Sequence, residues 1–282
     1  MVDVLKDALI DSLKLLPFLF IVYVFMEFVE HKASKKTQKI IKKSGKFGPL
    51  IGSILGAFPQ CGFSVMASNL YVGRVISLGT LIAIYLSTSD EMIPVMLSNG
   101  ATDKLLMIVF FKIITGIIIG FIIDLFILKK SNSSNKEIHK ICEHDHCHCE
   151  EENIFVSSLK HTLKIFIFIL LINIILDTTI HFIGEESIAS LLKRNDFIGP
   201  VLSGLVGLIP NCAASVVITE LFINETITLG SAISGLLASS GVGILVLFRM
   251  NKNIKENIFI LSLTFLISIT IGILFNILNI IV

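Results

Sequence analysis

The sequence predicts an all-α polytopic membrane protein built from two homologous repeats, and three observations carry that prediction. Its 282 residues are 54% hydrophobic and only 16% charged, with a mean hydropathy of +0.86; a soluble domain carries about a quarter charged residues. The apolar residues gather into runs of 20 or more at 76–97, 105–128, 229–248 and 258–282, each long enough to cross ~30 Å of hydrocarbon as a helix. Laid over each other at an offset of 151, residues 48–89 and 199–240 match without gaps at 14 of 42 positions, where apolar composition alone gives roughly 3–5. The identities include Gly48/Gly199, Pro49/Pro200, Gly56/Gly207, Pro59/Pro210, Cys61/Cys212, Ser64/Ser215, Gly79/Gly230 and Ser89/Ser240. Soluble α/β strands, broken every 4–8 residues by polar turns, do not read this way.

The division that follows is a first transmembrane repeat over 1–128, a polar linker over 129–153 and a second repeat over 154–282. The first candidate helix, 8–31, has an uninterrupted apolar part of only 15–28 and closes with Glu27, Glu30 and His31. With Asp11 and Lys14 inside it and no small-residue cleavage site after it, it reads as a retained helix rather than a signal peptide. Glu27 and His31 share a helical face, and Asp177 and His181 recur at the same spacing in the second repeat. Two readings stand: acids and histidines at the headgroup boundary, or a proton-relay or ion-coordinating pair in each copy.

Seven lysines then crowd into 32–46, which the positive-inside rule assigns to the cytoplasm. After them come 48–58, the interruption Pro59-Gln60-Cys61, and 62–72; the second repeat has 199–209, Pro210-Asn211-Cys212 and 213–223. Each half is about 11 residues, roughly 17 Å of helix, or half a bilayer. The stretch is either one kinked helix or a re-entrant hairpin turning at the proline. A single crossing makes the repeats parallel and leaves the linker outside. A hairpin makes them inverted and gathers 30–46, Arg74, the linker lysines, Arg249, Lys252 and Lys255 on one side. The charge distribution favours inversion, with about three full spans and one hairpin per repeat and ten helical segments in total.

The linker carries His139, Cys142, His144, His146, Cys147, His148 and Cys149. Thiolate and imidazole at this density suit Zn²⁺ or Cu(I), although the long-spaced Cys-x-x-Cys pairs of a folded zinc module are missing. The alternative is a biased, disordered connector. Five cysteines so distributed are not a secreted disulfide framework.

In lipid, backbone groups freed by a helix break must be satisfied by protein or a water-filled cavity, so paired breaks in matching segments point to a transport site near the midplane. The expected substrate-binding residues are Pro59, Gln60, Cys61 and Ser64, with Pro210, Asn211, Cys212 and Ser215, and with Ser89 and Ser240 from the following spans. Two thiols across a pseudo-symmetry axis suit a thiophilic ion; the plainer reading is a small packing residue at a crowded turn. Asp90 and Glu91 interrupt the 76–97 run, and acids inside a span are functional by default. The plainer alternative is a boundary position, with Pro94 ending the helix early. Glu220 and Lys112 are further intramembrane charges; whether Lys112 pairs with Asp90 or Glu91 is not decided at this level. The coupling candidates are thus Asp90, Glu91, Glu220, Glu27, His31, Asp177 and His181.

The paired Gly-Pro…Phe-Pro-Gln-Cys-Gly and Ile-Pro-Asn-Cys-Ala-Ala-Ser segments, together with the Cys/His-rich linker and the length, resemble the ten-transmembrane heavy-metal exporter family, whose members are described as arsenic efflux permeases. The resemblance covers essentially the whole chain. It implies a multi-spanning permease of toxic metal or metalloid species. Joined to the paired breaks and the intramembrane acids, it makes the leading expectation a plasma-membrane secondary transporter that exports a thiophilic heavy-metal or metalloid species such as arsenic by alternating access, coupled to protons. Its partners are then the lipid bilayer and a small metal or metalloid, without nucleic acid, and with a homo-oligomer left open. No cofactor is required; a soft or borderline metal ion, Zn or Cu, is a candidate ligand of the linker. Without a Gly-x-x-x-x-Gly-Lys-[Ser/Thr] loop, ATP drive needs another subunit. The competing functions are a permease for a small organic or inorganic anion, acting through helix N-termini, and a membrane metal sensor that does not transport. An intramembrane enzyme has no His-Glu-x-x-His or Gly-x-Ser-x-Gly run to support it, so the chain is expected not to be an enzyme.

Overall fold

A computed structural model of the chain describes residues 47–59, 62–89, 91–128 and 197–278, together with isolated helical positions between 13 and 24 and between 159 and 174. Every regular element among the described residues is a helix. The first set is α1 (Gly48–Gly56), α2 (Gly62–Val72), α3 (Leu78–Ser87), α4 (Met92–Ser98) and α5 (Thr102–Leu128). The second set is α6 (Ile198–Gly207), α7 (Cys212–Ile223), α8 (Leu229–Ala238), α9 (Gly243–Met250) and α10 (Ile254–Ile277).

Local chemistry explains the starts of these helices. Pro49 and Pro200 sit in the first turns of α1 and α6, where a missing N–H costs nothing. Ser77 caps α3 by accepting the Thr80 N–H, and Thr228 caps α8 by accepting the Ser231 N–H. Asp124, at the far end of α5, reinforces the first of these caps: its two oxygens accept the Ser77 hydroxyl at 2.7 Å and the Gly79 N–H at 2.9 Å. A carboxylate at a helix start complements the positive end of its dipole.

Packing within each set follows one scheme. α1, α3 and α5 lie against one another, with α2 on α3 and α4 on α5; α6, α8 and α10 do the same, with α7 on α8 and α9 on α10. The close approaches run through glycines. A side chain at Gly79 would overlap the Gly120 carbonyl and Asp124, and one at Gly230 would overlap the Gly272 carbonyl and Asn276. Small residues let backbones approach in lipid, where helix association depends on van der Waals contact rather than on expelling water. The sets then interlock reciprocally, α2 against α9 and α7 against α4, with α3 against α8.

Among the described residues, four stretches are long and apolar enough to cross a membrane: Leu78–Ser98, Thr102–Phe126, Leu229–Met250 and Ile254–Ile277. The first and third form the core, with 71% and 89% of their windows buried, against 33% and 28% for the other two. α5 and α10 turn Leu106, Phe110, Leu125, Phe126, Phe259 and Leu266 outward. That apolar surface would be a liability in water and is what acyl chains require.

The structure corrects one expectation. The runs 76–97 and 229–248 read as continuous spans in the sequence, but in each one helix ends and another begins, after Ser87 and before Met92, and after Ala238 and before Gly243. The cause is competition for backbone carbonyls. The hydroxyls of Ser87 and Thr88 both bond the Ile84 carbonyl, and Ser89 bonds the Ser87 carbonyl; such local bonds offer the chain an alternative to the helical ladder. In the second set Gly241 has φ 57°, the left-handed region that glycine adopts without penalty. Pro94 does not end its helix, since α4 runs through it to Ser98.

Candidate functional site

Four helix breaks surround one centre. The first lies between α1 and α2, where the Phe58 and Phe63 ring centroids stand 5.9 Å apart and Pro59 is exposed. The second lies between α6 and α7. There the N–H groups of Leu208 and Ile209 return to carbonyls of α6, and Pro210 has no N–H to place. Asn211 turns to extended backbone, and its buried side chain caps α7 by accepting the Ala213 N–H at 3.3 Å. The amide that the sequence singled out therefore serves freed backbone. The third and fourth breaks are those at 88–91 and 239–242.

Packing draws these breaks together. The end of α1 meets the third break, because a side chain at Gly56 would overlap the Ser87 hydroxyl and come within 2.7 Å of the Ile84 carbonyl. The start of α2 meets the fourth break: a β-carbon at Gly243 would stand 2.7 Å from Ser64. Likewise a side chain at Gly207 would overlap the backbone of Gly235 in α8. Each of α3 and α8 has ten residues, about 15 Å, so their breaks fall near the middle of a ~30 Å core.

The Ser68 hydroxyl is the junction of this centre. It is 2.7 Å from the Tyr85 hydroxyl, 2.8 Å from the Ser64 carbonyl and 2.6 Å from the Gly243 carbonyl. One buried network thus joins α2 and α3 to the start of α9. Thr219, in the matching position of α7, bonds the Ser215 carbonyl at 2.6 Å. Ser64, Ser215, Ser89 and Ser240 are all buried. Lys112 is buried here too, donating to the carbonyls of Thr88 and Leu236.

Other expected residues lie elsewhere. Glu91 is half-buried just before α4, and Glu220 is exposed two turns into α7, about 12 Å along the helix from its start. Cys212 opens α7. Gln60, Cys61, Asp90, Glu27, His31, Asp177, His181 and the linker residues His139, Cys142, His144, His146, Cys147, His148 and Cys149 lie outside the described residues. Among the described residues, no three His, Cys, Asp or Glu side chains gather as a metal-binding group.

A second polar cluster, which the sequence did not single out, sits where α2 ends. Glu256, in the first turn of α10, accepts the Tyr71 hydroxyl at 2.5 Å and pairs with Arg74 at 3.3 Å. Asn251 and Asn253 donate to its other oxygen at 3.3 and 3.4 Å, and the Arg74 guanidinium lies 5.6 Å from the Tyr71 ring. The matching end of α7 meets the start of α5, where the Lys104 ammonium lies 5.4 Å from the Phe222 ring. Arg74 and Glu225, at matching positions, both have positive φ, 59° and 54°. Tyr71 and Arg74 lie 185 and 182 residues from Glu256 in sequence, which is why no local pattern announces the cluster.

Comparison with known proteins agrees with this architecture. A family model described as "Putative, 10TM heavy-metal exporter" matches residues 1–185 and 153–280. No curated protein and no solved structure matches the chain. With nearly its whole length covered, and with four membrane-length apolar stretches among the described residues, the chain belongs to the ArsP_2 family of ten-transmembrane heavy-metal exporters.

Proposed function

We propose that the chain is a secondary transporter in the plasma membrane that exports a thiophilic metal or metalloid such as arsenic. On this reading it is made of two inverted repeats and works by alternating access, coupled to protons. The observation that carries the proposal is the meeting of four helix breaks at one buried, hydroxyl-rich centre between the two sets of helices. Irregular backbone at membrane depth is tolerated only where protein or a cavity satisfies it, and transporter sites use such breaks.

Two contacts support inversion. The Arg74–Glu256 pair joins the end of α2 to the start of α10, and the Lys104–Phe222 contact joins the end of α7 to the start of α5. With Leu78–Ser98 and Leu229–Met250 each crossing once, both contacts are satisfied when the two spans run in opposite directions. Parallel copies would put Arg74 and Glu256 on opposite faces of a ~30 Å core.

In this reading Cys61 and Cys212 hold the substrate at the two tips, and Asp90, Glu91 and Glu220 carry protons, with Glu27/His31 and Asp177/His181 as relays. The linker histidines and cysteines deliver or sense metal. Uptake into inside-out vesicles tests it, with an imposed acid interior and arsenite, methylated trivalent arsenic or Cd²⁺ outside. Uptake should follow the proton gradient and fall at least tenfold in the Cys61→Ser, Cys212→Ser double variant. Undiminished uptake by that variant would sink the thiol site. A permease for a small anion is the second reading, favoured by the starts of α2 and α7 at the centre, where helix dipoles attract negative charge. It predicts that the double variant transports normally.

A further inference from the structure

Lys112 lies ten residues into α5, about 15 Å from its start, and it is 1% exposed. A buried ammonium is costly unless it is paired and hydrogen-bonded. Among its partners are the carbonyls of Thr88 and, at 2.8 Å, Leu236. Both are carbonyls that a broken helix leaves without its usual donor. Thr88 is the residue just past the last turn of α3. The helical donor for Leu236 would be the Ser240 N–H, but that group turns to the Ala238 carbonyl at 2.9 Å. One ammonium therefore bridges two half-helix C-termini, one from each set of helices.

Half-helix C-termini carry partial negative charge. In transporters with discontinuous helices, such ends and their unwound carbonyls coordinate the coupling cation. We propose that Lys112 is a tethered cation: its ammonium occupies the position between the two breaks that an inorganic monovalent cation would otherwise take. The chain then works without Na⁺ or K⁺ at this site, and the bridge holds the two sets of helices together at the midplane. The device is one-sided. Aligning the Gly79–Gly120 and Gly230–Gly272 contacts places Thr264 opposite Lys112, and its hydroxyl bonds the Ile260 carbonyl of its own helix.

This inference rests on the midplane site argued above, yet its test needs no substrate. Thermal unfolding of the purified full chain is followed in NaCl, KCl or choline chloride at equal ionic strength. The wild type and Lys112→Met, whose side chains fill the position, should unfold at one temperature in all three salts. Lys112→Ala and Lys112→Ser should unfold lower in choline and recover by roughly 3 °C or more in Na⁺ or K⁺, because a cation that binds only the folded state raises its stability. Lack of any cation response in both small variants would overturn the proposal. So would a Na⁺- or K⁺-specific rise in the wild type, a measurement that stands even if a variant fails to fold. Failure of arsenic transport would leave these melting differences unchanged, so the two readings fail separately.

Discussion

The two ends of the molecule are built from matching positions with different chemistry. At one end, where α2 finishes and α10 begins, Tyr71, Arg74 and Glu256 form a charged, multiply bonded cluster, and Asp124 caps α3 beside it. At the other end, where α7 finishes and α5 begins, Phe222 replaces the tyrosine and offers only its ring to Lys104. Asn276 stands there in place of the aspartate, against Gly230. The backbone is the same at both ends, down to the positive φ at Arg74 and Glu225. One end is therefore held by directional, charge-assisted bonds and the other by a weaker contact. On the proposed alternating-access reading, this difference biases which side rests closed.

The largest expected effect comes from removing the charged hub. Glu256→Leu leaves the Tyr71 hydroxyl and Arg74 without their acceptor, and should destabilise the fold by about 1–3 kcal/mol, read as a lower unfolding temperature in detergent. It should also raise the reactivity of a cysteine placed at the 74 end toward a membrane-impermeant thiol reagent. An unchanged melt and unchanged reactivity would mean that the cluster is decorative. Asp124→Asn makes the first cap a copy of the second. Because an amide oxygen still accepts one N–H, the loss should stay near ~0.5–1 kcal/mol; a loss of 3 kcal/mol or more would show that the two caps are not equivalent. The smallest effect belongs to Lys104→Met, which removes only a cation–π contact of about 0.5–1 kcal/mol. If Lys104→Met destabilised the protein as much as Glu256→Leu, the contrast between the ends would collapse.

Much of this architecture is legible before any coordinates. The tips at Pro59 and Pro210 announce themselves because proline removes a backbone donor wherever it stands. The offset identities at Gly79 and Gly230 mark close helix contacts for a similarly local reason. The breaks at 88–91 and 239–242 are less legible. Ser87, Thr88 and Ser89 are compatible with a helix in lipid, where hydroxyls commonly bond back to the preceding turn, and nothing in the run itself says that the ladder will stop. The hub at Glu256 is invisible for another reason: a glutamate in the first turn of a helix is what any helix prefers, and its partners lie in the other half of the chain.

By itself, then, the sequence determined the membrane class and the two proline breaks, because each depends on local composition or on backbone covalent chemistry. Only the tertiary structure decided where the inner spans break, which carbonyls Lys112 bridges and which end carries the charged cluster around Glu256. Those outcomes are competitions between hydrogen-bond partners, and the winner depends on which groups long-range packing brings within 3 Å.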